Sequence, residues 1–149
     1  MDNQCLLNER LMDLCRYGIL YTLDDVKELI DMGADINYQD SDGRSLLIIL
    51  CTTTDTTTNN YSATIYNTLK FLLESGTDVD IQNESGNTSL MHSLHNINIM
   101  KLLLKYDPDI NLVNVLNENV LQMCNQSKYN SELLEKVELL EEYISLKIS

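Results

Sequence analysis

Tryptophan, phenylalanine, proline and glycine are scarce in this chain of 149 residues. Tryptophan is absent, phenylalanine and proline occur once each, and glycine occurs five times. Leucine and isoleucine are abundant, so the composition favours helices. A chain of this length suits one domain that buries most of its unfolded surface. We therefore predict a single all-α domain over residues 1–149.

Positive charge is also scarce, since 10 Lys and Arg stand against 23 Asp and Glu, a formal net charge of −13. This charge repels phosphate backbones, and no basic cluster with interleaved aromatic residues offsets it, so we expect no nucleic-acid partner. The longest apolar run, Leu46 to Cys51, is far shorter than the roughly 20 residues that cross a bilayer. The N-terminal residues lack the pattern of a secretory signal. We expect a cytoplasmic or nuclear protein that binds no membrane.

The four cysteines are scattered and form no CxxC pair (Cys5, Cys15, Cys51 and Cys124). This pattern indicates neither a disulfide framework nor a zinc site, and we expect reduced cysteines packed as small core residues.

Three stretches share one pattern: VKELIDMGADIN (26–37), LKFLLESGTDVD (69–80) and MKLLLKYDPDIN (100–111). In each, apolar residues recur at i, i+3 and i+4, which predicts a short helix with one buried face. Gly33 and Gly76 lie where a left-handed residue would end the helix, whereas Asp107-Pro108 is expected to end the third helix by a different device. A polar turn follows each helix (39–45, 82–88 and 113–119), and a second apolar helix follows each turn.

The aligned turn residues Asp40, Asn83 and Asn114 lie 43 and 31 residues apart. The longer step contains TTTDTTTNNYSAT (52–64), which we interpret as an insertion between helices because it is rich in poor helix formers. The insertion is a candidate partner-binding or phosphoacceptor loop, or a low-complexity expansion. Without it the repeat period is about 33 residues.

A unit of this length resembles the ankyrin repeat, whose consensus contains D-x-x-G-x-T-P-L-H and, after a second helix, G-A-D-V-N. The matching segments are 33–37, 40–47, 76–80, 86–90 and 109–111. The resemblance implies a solenoid of about four stacked helix-turn-helix units with short β-turn or hairpin loops: 6–38, 39–81, 82–112 and a C-terminal cap at 113–149. The proline of T-P-L-H is missing throughout, and its histidine is replaced by Ile48, Met91 and Gln122, so we expect less stable repeats.

The segment GNTSLMHSLH (86–95) contains both histidines of the chain beside serines. Ser89 or Ser93 with His92 or His95 lacks a nucleophile elbow, an orienting acid and an oxyanion cradle. Two histidines alone do not complete a zinc site, and a third ligand would have to come from a cysteine or carboxylate of another repeat. We therefore expect no catalytic residue, metal or cofactor, and we predict that Thr88 caps a helix.

The resemblance implies a non-enzymatic module that binds a protein through turn tips and a concave inner-helix face. The acidic composition predicts a basic or neutral partner. Asn- and Ile-rich, proline-poor repeats resemble ankyrin proteins of large DNA viruses and intracellular bacteria, which often target host signalling or ubiquitin machinery. The alternatives are a self-associating structural protein or a truncated relic of a larger ankyrin protein; we expect a monomer or weak homo-oligomer. The candidate contact residues are Arg16, Tyr17, Ser41, Asp42, Arg44, Glu84, Ser85, Asn87, His95 and Asn96.

Overall fold

A computed structural model describes residues 3–17, 21–53, 59–126 and 133–148. Within these ranges the chain forms helices α1 (Asn3–Tyr17), α2 (Leu23–Asp31), α3 (Leu46–Thr52), α4 (Asn59–Glu74), α5 (Ser89–His92), α6 (Ile97–Leu104), α7 (Val120–Gln126) and α8 (Leu133–Ile148). A 3-10 turn, Ser93–His95, extends α5. In the same ranges β structure is limited to one antiparallel bridge between Gln39 and Ser45.

The helices are arranged in two layers of four. The inner helices α1, α3, α5 and α7 contact one another in that order, and the outer helices α2, α4, α6 and α8 do the same. Each inner helix also contacts the outer helix that follows it in the chain. A single pair cannot bury its own apolar face, so neighbouring pairs share one continuous core. The prediction of an all-α solenoid of stacked helix pairs is confirmed.

The apolar stripes predicted from the repeat supply this core. Leu69, Leu72 and Met100 have no exposed surface, and the other stripe residues are buried as well, except Ile30, which is half-buried. α3 is apolar on every side and is buried along Leu46 to Cys51 because α1, α4 and α5 surround it. Each fully buried leucine or isoleucine stabilises the fold by about 1.5–3 kcal/mol relative to an exposed one.

Side-chain caps define where the helices begin. The Thr88 hydroxyl accepts a hydrogen bond from Met91 N at 3.3 Å, which confirms the predicted cap of α5. At α2, Thr22 and Asp25 form a reciprocal capping box, with Asp25 Oδ2 accepting from Thr22 N at 2.7 Å. These bonds satisfy backbone N–H groups that a helix start leaves without partners.

The ends of α2, α4 and α6 share one backbone conformation. Gly33 and Gly76 have φ of +104° and +84°, as predicted, and the aligned Asp107 has φ of +59°. The expectation of a different device at Asp107-Pro108 is therefore wrong. Aspartate tolerates the left-handed region better than most residues. The Asp107 carboxylate is bonded by Tyr143 and Lys147 of α8, and Pro108 prevents the helix from continuing.

The predicted insertion is shorter than the sequence indicated. α3 extends to Thr52 and α4 begins at Asn59, so residues 59–64 lie in α4 and not between helices. Residues 54–58 lie outside the described part of the chain. The prediction that the threonines of this segment form a partner-binding or phosphoacceptor loop therefore stays a prediction. The extra residues of the second unit therefore lengthen α4 to 16 residues, against 8 in α6.

The four cysteines carry free thiols. Cys15, Cys51 and Cys124 are buried, as expected, whereas Cys5 is only half-buried, which corrects its assignment to the core. Burial raises the pKa of the Cys15 and Cys51 thiols to about 12. These two thiols are thus protonated and unreactive at neutral pH.

Candidate functional site

Three turns, at residues 39–45, 82–88 and 113–119, repeat one hydrogen-bonding pattern. In each, a side-chain oxygen accepts bonds of 2.8–3.0 Å from the backbone N–H groups two and four residues later. The accepting residues are Asp40, Asn83 and Asn114. Asp and Asn perform this role well because their oxygens reach the backbone of the same turn. One Asp or Asn side chain therefore fixes the conformation of each turn.

The turns are also joined to one another, and we call the set the turn ladder (39–45, 82–88 and 113–119). Glu84 N donates to Asp42 O at 3.0 Å, and Val115 N donates to Ser85 O at 3.0 Å. The Gln82 amide adds a second link, since its Nε2 donates to Gly86 O at 2.6 Å and to Val113 O at 2.9 Å. The turn tips thus form one continuous, rigidly spaced edge.

Two glycines permit this close spacing. Gly43 and Gly86 have φ of +70° and +74°, which other residues rarely adopt. A Cβ at Gly43 would lie 2.9 Å from Glu84 N, and one at Gly86 would lie 2.8 Å from Asn114 Cα. Both glycines are needed for the backbone conformation and for the contact with the next turn.

Four of the predicted contact residues lie together on this edge. Ser41 and Asp42 on the first turn, and Glu84 and Ser85 on the second, are exposed at the tips. The backbone bond between Glu84 and Asp42 places two carboxylate residues at neighbouring turn tips. Of these two carboxylates, only that of Glu84 has no ion pair among the described residues, so the second tip presents negative charge.

Arg44 offsets the charge of the first tip. Its guanidinium pairs with Asp40 at 2.9 Å and with Asp42 at 2.7 Å. Burial raises the pKa of Asp40, but the hydrogen bonds from Arg44 and Asp42 and the positive charge of Arg44 outweigh it and hold the pKa below its usual value. Arg44 therefore stabilises its own turn.

Arg16 has a similar structural role. Its Nη2 donates to Asp40 Oδ2 at 2.5 Å, which ties α1 to the first turn. Its Nε is buried and has no hydrogen-bond partner among the described residues. The neighbouring Tyr17 is 68% exposed, with its ring centroid 5.5 Å from the Arg16 guanidinium carbon. Of the two predicted residues, only Tyr17 offers a large free surface to a partner.

The serines near the histidines are committed to the backbone. Ser89 and Ser93 are buried, and their hydroxyls donate to Val79 O at 3.2 Å and Leu90 O at 2.7 Å. His92 Nε2 lies 3.3 Å from Asn83 Nδ2, the amide of the second turn. These contacts support the structural interpretation of this segment.

His92 is electrically neutral at physiological pH. Burial, followed by the proximity of His95 and Arg44, lowers the pKa of its imidazole below the usual value. A neutral ring can accept a hydrogen bond from Asn83 Nδ2, and so supports the residue that shapes the second turn.

The remaining predicted residues are distributed over the second turn and the far end of the inner helix. Asn87 is half-buried in the turn, and its Oδ1 is buried without a partner in the described ranges. His95 is exposed at the end of the 3-10 turn.

Asn96 lies away from the turn ladder. Its Oδ1 caps α6 by accepting from Asn98 N at 3.1 Å and Ile99 N at 3.3 Å. It also lines a groove of about 620 Å³ between the outer helices α4 and α6. The structure thus does not place Asn96 beside the turn tips with the other candidates.

One surface was missed by the sequence analysis. Val115 and Leu116, at the tip of the third turn, are 71% and 72% exposed, and Val113 is 43% exposed. In the aligned turns the tip positions are Ser41-Asp42 and Glu84-Ser85. The sequence could have indicated this surface, because Val115-Leu116 is apolar where the two aligned turn tips are polar.

Among the described residues, no three His, Cys, Asp or Glu side chains are grouped as metal ligands. A search of the same residues finds no helix with both the length and the apolarity to cross a bilayer.

A family model described as ankyrin repeats (3 copies) matches residues 11–114 and 59–147. Ankyrin repeat protein R664 of Acanthamoeba polyphaga mimivirus is 31% identical over 130 residues, which cover 83% of this chain and 75% of that protein. Protein L92 of the same virus is 32% identical over 106 residues, covering 70% of this chain and 23% of L92. Fowlpox virus protein FPV232 is 43% identical over 67 residues, covering 44% of this chain and 13% of FPV232.

Proposed function

Because this chain belongs to the ankyrin-repeat family, we propose that it binds a protein partner through the turn ladder and the adjacent inner-helix face. Ankyrin repeats are protein–protein interaction modules, and the fold is a non-enzymatic one. The observation that carries the proposal is the ladder itself, in which backbone bonds hold three turn tips at fixed spacing. A preorganised edge loses little entropy on binding. We retain as predictions the division of 1–149 into four repeats and the intracellular location.

The partner surface is basic or neutral. Glu84 is exposed on the second tip without an ion pair among the described residues, whereas Asp42 and Arg44 of the first turn pair with each other. Complementary charge would accelerate association, and the effect would weaken as salt rises.

We further propose that the partner is a host protein. The support is that the relatives named above are proteins of mimivirus and fowlpox virus. The chain spans less than a quarter of two of these relatives, so their complete activities need not be those of this chain.

Affinity capture with a matched pair of charge reversals tests the proposal. Glu84→Lys alters an exposed turn tip, whereas Glu28→Lys makes the same change on the exposed side of α2. We expect wild type and Glu28→Lys to capture the same proteins from amoebal and fowl-cell extracts. Glu84→Lys should capture smaller amounts of the basic proteins than wild type does. Arg44→Glu is less informative because it also removes two ion pairs within the turn. If wild type, Glu28→Lys and Glu84→Lys capture the same proteins in equal amounts, and salt does not change the capture, the turn ladder is rejected as the binding surface.

The alternative of self-association is favoured by the exposed Val115 and Leu116. Light scattering at high concentration decides it. A mass of about twice 17.1 kDa that returns to the monomer value in Leu116→Asn would support a homodimer through the third turn. A monomer at every concentration would remove this alternative.

A further inference from the structure

The turn ladder has an open donor at its first turn. In the second and third turns the N–H of the first tip residue, Glu84 or Val115, donates to the preceding turn. The aligned residue of the first turn is Ser41, and no described residue accepts from its N–H. An exposed N–H at the edge of an ordered hydrogen-bond series is a site for a further backbone segment.

A groove of about 300 Å³ lies beside this donor. α1 forms one side through Glu9, Met12, Asp13 and Arg16, and Tyr38 and Asp40 line the other side with Ser41. Among the described residues, no backbone group of another turn bonds to Ser41 N–H. Because Ser41 lines the groove, a backbone segment bound there would lie next to the open donor. We call it the first-turn groove.

The charge of the groove is negative. Asp40 is paired with two cations, Arg16 at 2.5 Å and Arg44 at 2.9 Å, and Arg16 also lies 3.7 Å from Asp13. The net negative charge of the groove therefore lies at Glu9 and Asp13 on α1. Glu9 has no ion pair among the described residues. Burial is the largest cause of the raised pKa of Tyr38, and the neighbouring carboxylates of Glu9 and Asp40 add to it.

We propose that the first-turn groove binds an extended, basic segment of a protein partner as an additional rung of the turn ladder. A backbone carbonyl of the segment accepts a hydrogen bond from Ser41 N–H, and a Lys or Arg side chain contacts Glu9 and Asp13. Met12, which is 3% exposed, and the half-buried Tyr38 provide an apolar floor for the aliphatic part of that side chain. The inference rests on the proposed protein-binding function and assigns it a second surface.

A second copy of this chain is a poorer occupant. Its third turn offers the carbonyl of Leu116, which accepts no backbone hydrogen bond from a described residue, but the neighbouring residues of that turn include no cation. The groove would then gain a hydrogen bond without neutralising its carboxylates. Charge complementarity thus favours a basic partner segment over the chain's own third turn.

Ser41→Pro removes the proposed donor and little else. Ser41 is the second residue of a turn closed by the bond from Gly43 N to Asp40 O, a position at which proline is favoured. The bonds that shape this turn come from other backbone N–H groups. Ser41→Ala keeps the N–H and removes only the hydroxyl, so it is the matched control.

The probe is a fluorescent heptapeptide of alternating Thr and Arg, with a Thr/Glu peptide as its acidic counterpart. We expect the basic peptide to bind wild type and Ser41→Ala equally, and Ser41→Pro about fivefold to tenfold more weakly, the effect of one hydrogen bond. In an amide NMR titration the Ser41 N–H signal should shift with the basic peptide alone. Glu9→Lys should weaken binding without changing the turn, since its side chain lies on α1.

Equal binding of the basic peptide to Ser41→Pro and Ser41→Ala, with both folded by circular dichroism, would overturn the proposal. Equal binding of the acidic peptide, or a Ser41 signal that does not move, would do the same. If Glu84→Lys loses the cellular partner while Ser41→Pro retains it and binds the basic peptide normally, the proposed function stands and this inference fails. Concentration-dependent dimers abolished by Ser41→Pro would instead identify a second copy as the occupant and reject the basic segment.

Discussion

Replacing Asp80 with asparagine should stabilise the protein. Asp80 Oδ1 accepts a hydrogen bond from Asp109 N at 2.9 Å, which links the second unit to the third. The aligned residue of the preceding unit is Asn37, and its Oδ1 accepts from Asp78 N, also at 2.9 Å. Asparagine therefore already performs this role in the same structure. Asp80→Asn keeps the accepting oxygen and removes the charge.

That charge is unfavourable in the folded state. Burial is the largest cause of a raised pKa at Asp80; the backbone N–H of Asp109 partly opposes it, and the charges of Asp78, Asp109 and Asp107 add to it. Relative to the unfolded chain, ionised Asp80 thus costs stability. The protonated form of Asp80 is the one that the folded state favours. This stabilisation is fully present below the ordinary pKa of 3.8 and is lost as the pH rises through the raised pKa of the folded state.

The expected gain is modest because Asp80 is only half-buried and solvent screens its neighbours. We estimate about 0.5 kcal/mol at neutral pH, the lower end for a single favourable substitution. For a domain of this size that is an increase of about 1–2 °C in Tm. The gain should diminish at high salt and vanish at acid pH, where Asp80 is already protonated.

Thermal unfolding monitored by circular dichroism checks this at neutral pH in low and high salt, and again near pH 3. Asp80→Ala is the control, since it removes the charge and also the acceptor for Asp109 N, so its Tm should fall below that of Asp80→Asn. A lower Tm for Asp80→Asn than for wild type, or a gain that salt and acid leave unchanged, would refute the electrostatic reasoning.

Three further predictions concern the ladder and the core. Gly86→Ala should destabilise the fold by more than Gly76→Ala, as measured by urea unfolding. At Gly76 the positive φ alone costs about 1 kcal/mol, since no atom lies within 4 Å of an added Cβ. At Gly86 an added Cβ would also lie 2.8 Å from the backbone of the third turn. At neutral pH a maleimide should label Cys5 in the native protein and Cys51 only after unfolding, as peptide mass mapping would show. Burial raises the pKa of Asp40, but its hydrogen bonds lower the pKa further, so the folded value lies below 3.8. Ionised Asp40 therefore stabilises the fold above pH 3.8, and this stabilisation is lost as the pH falls through the folded pKa. In Asp40→Asn the urea midpoint should change less between about pH 5 and pH 3 than in wild type.

The repeat and its core could be predicted from the sequence because both depend on local patterns. The i, i+3, i+4 stripes identify the buried faces, and Thr88 identifies a helix start. Asp107 was misinterpreted because aspartate at a left-handed position has no unambiguous sequence signal, unlike Gly33 or Gly76. Residues 59–64 were misassigned because tertiary packing of a long helix overrides weak local propensity.

The site was predicted less completely because it depends on contacts between units. The exposed tips follow from the turn pattern, but nothing in the order of residues shows that Arg16 crosses from α1 to Asp40. The first-turn groove is likewise a property of packing, since α1 and the first turn contribute to it from separate parts of the chain. Its donor becomes visible only when the bonds from Glu84 and Val115 are compared with Ser41.

The third turn carries Asn117 where the first two carry glycine. Its φ of +60° matches theirs, so the backbone of the turn is unchanged. At Gly43 and Gly86, however, the space for a Cβ is filled by the backbone of the following turn at 2.8–2.9 Å. The side chain of Asn117 would block a further turn stacked at that spacing. Asparagine thus preserves the conformation of the turn while preventing its propagation, a steric stop that confines close turn stacking to the three turns described.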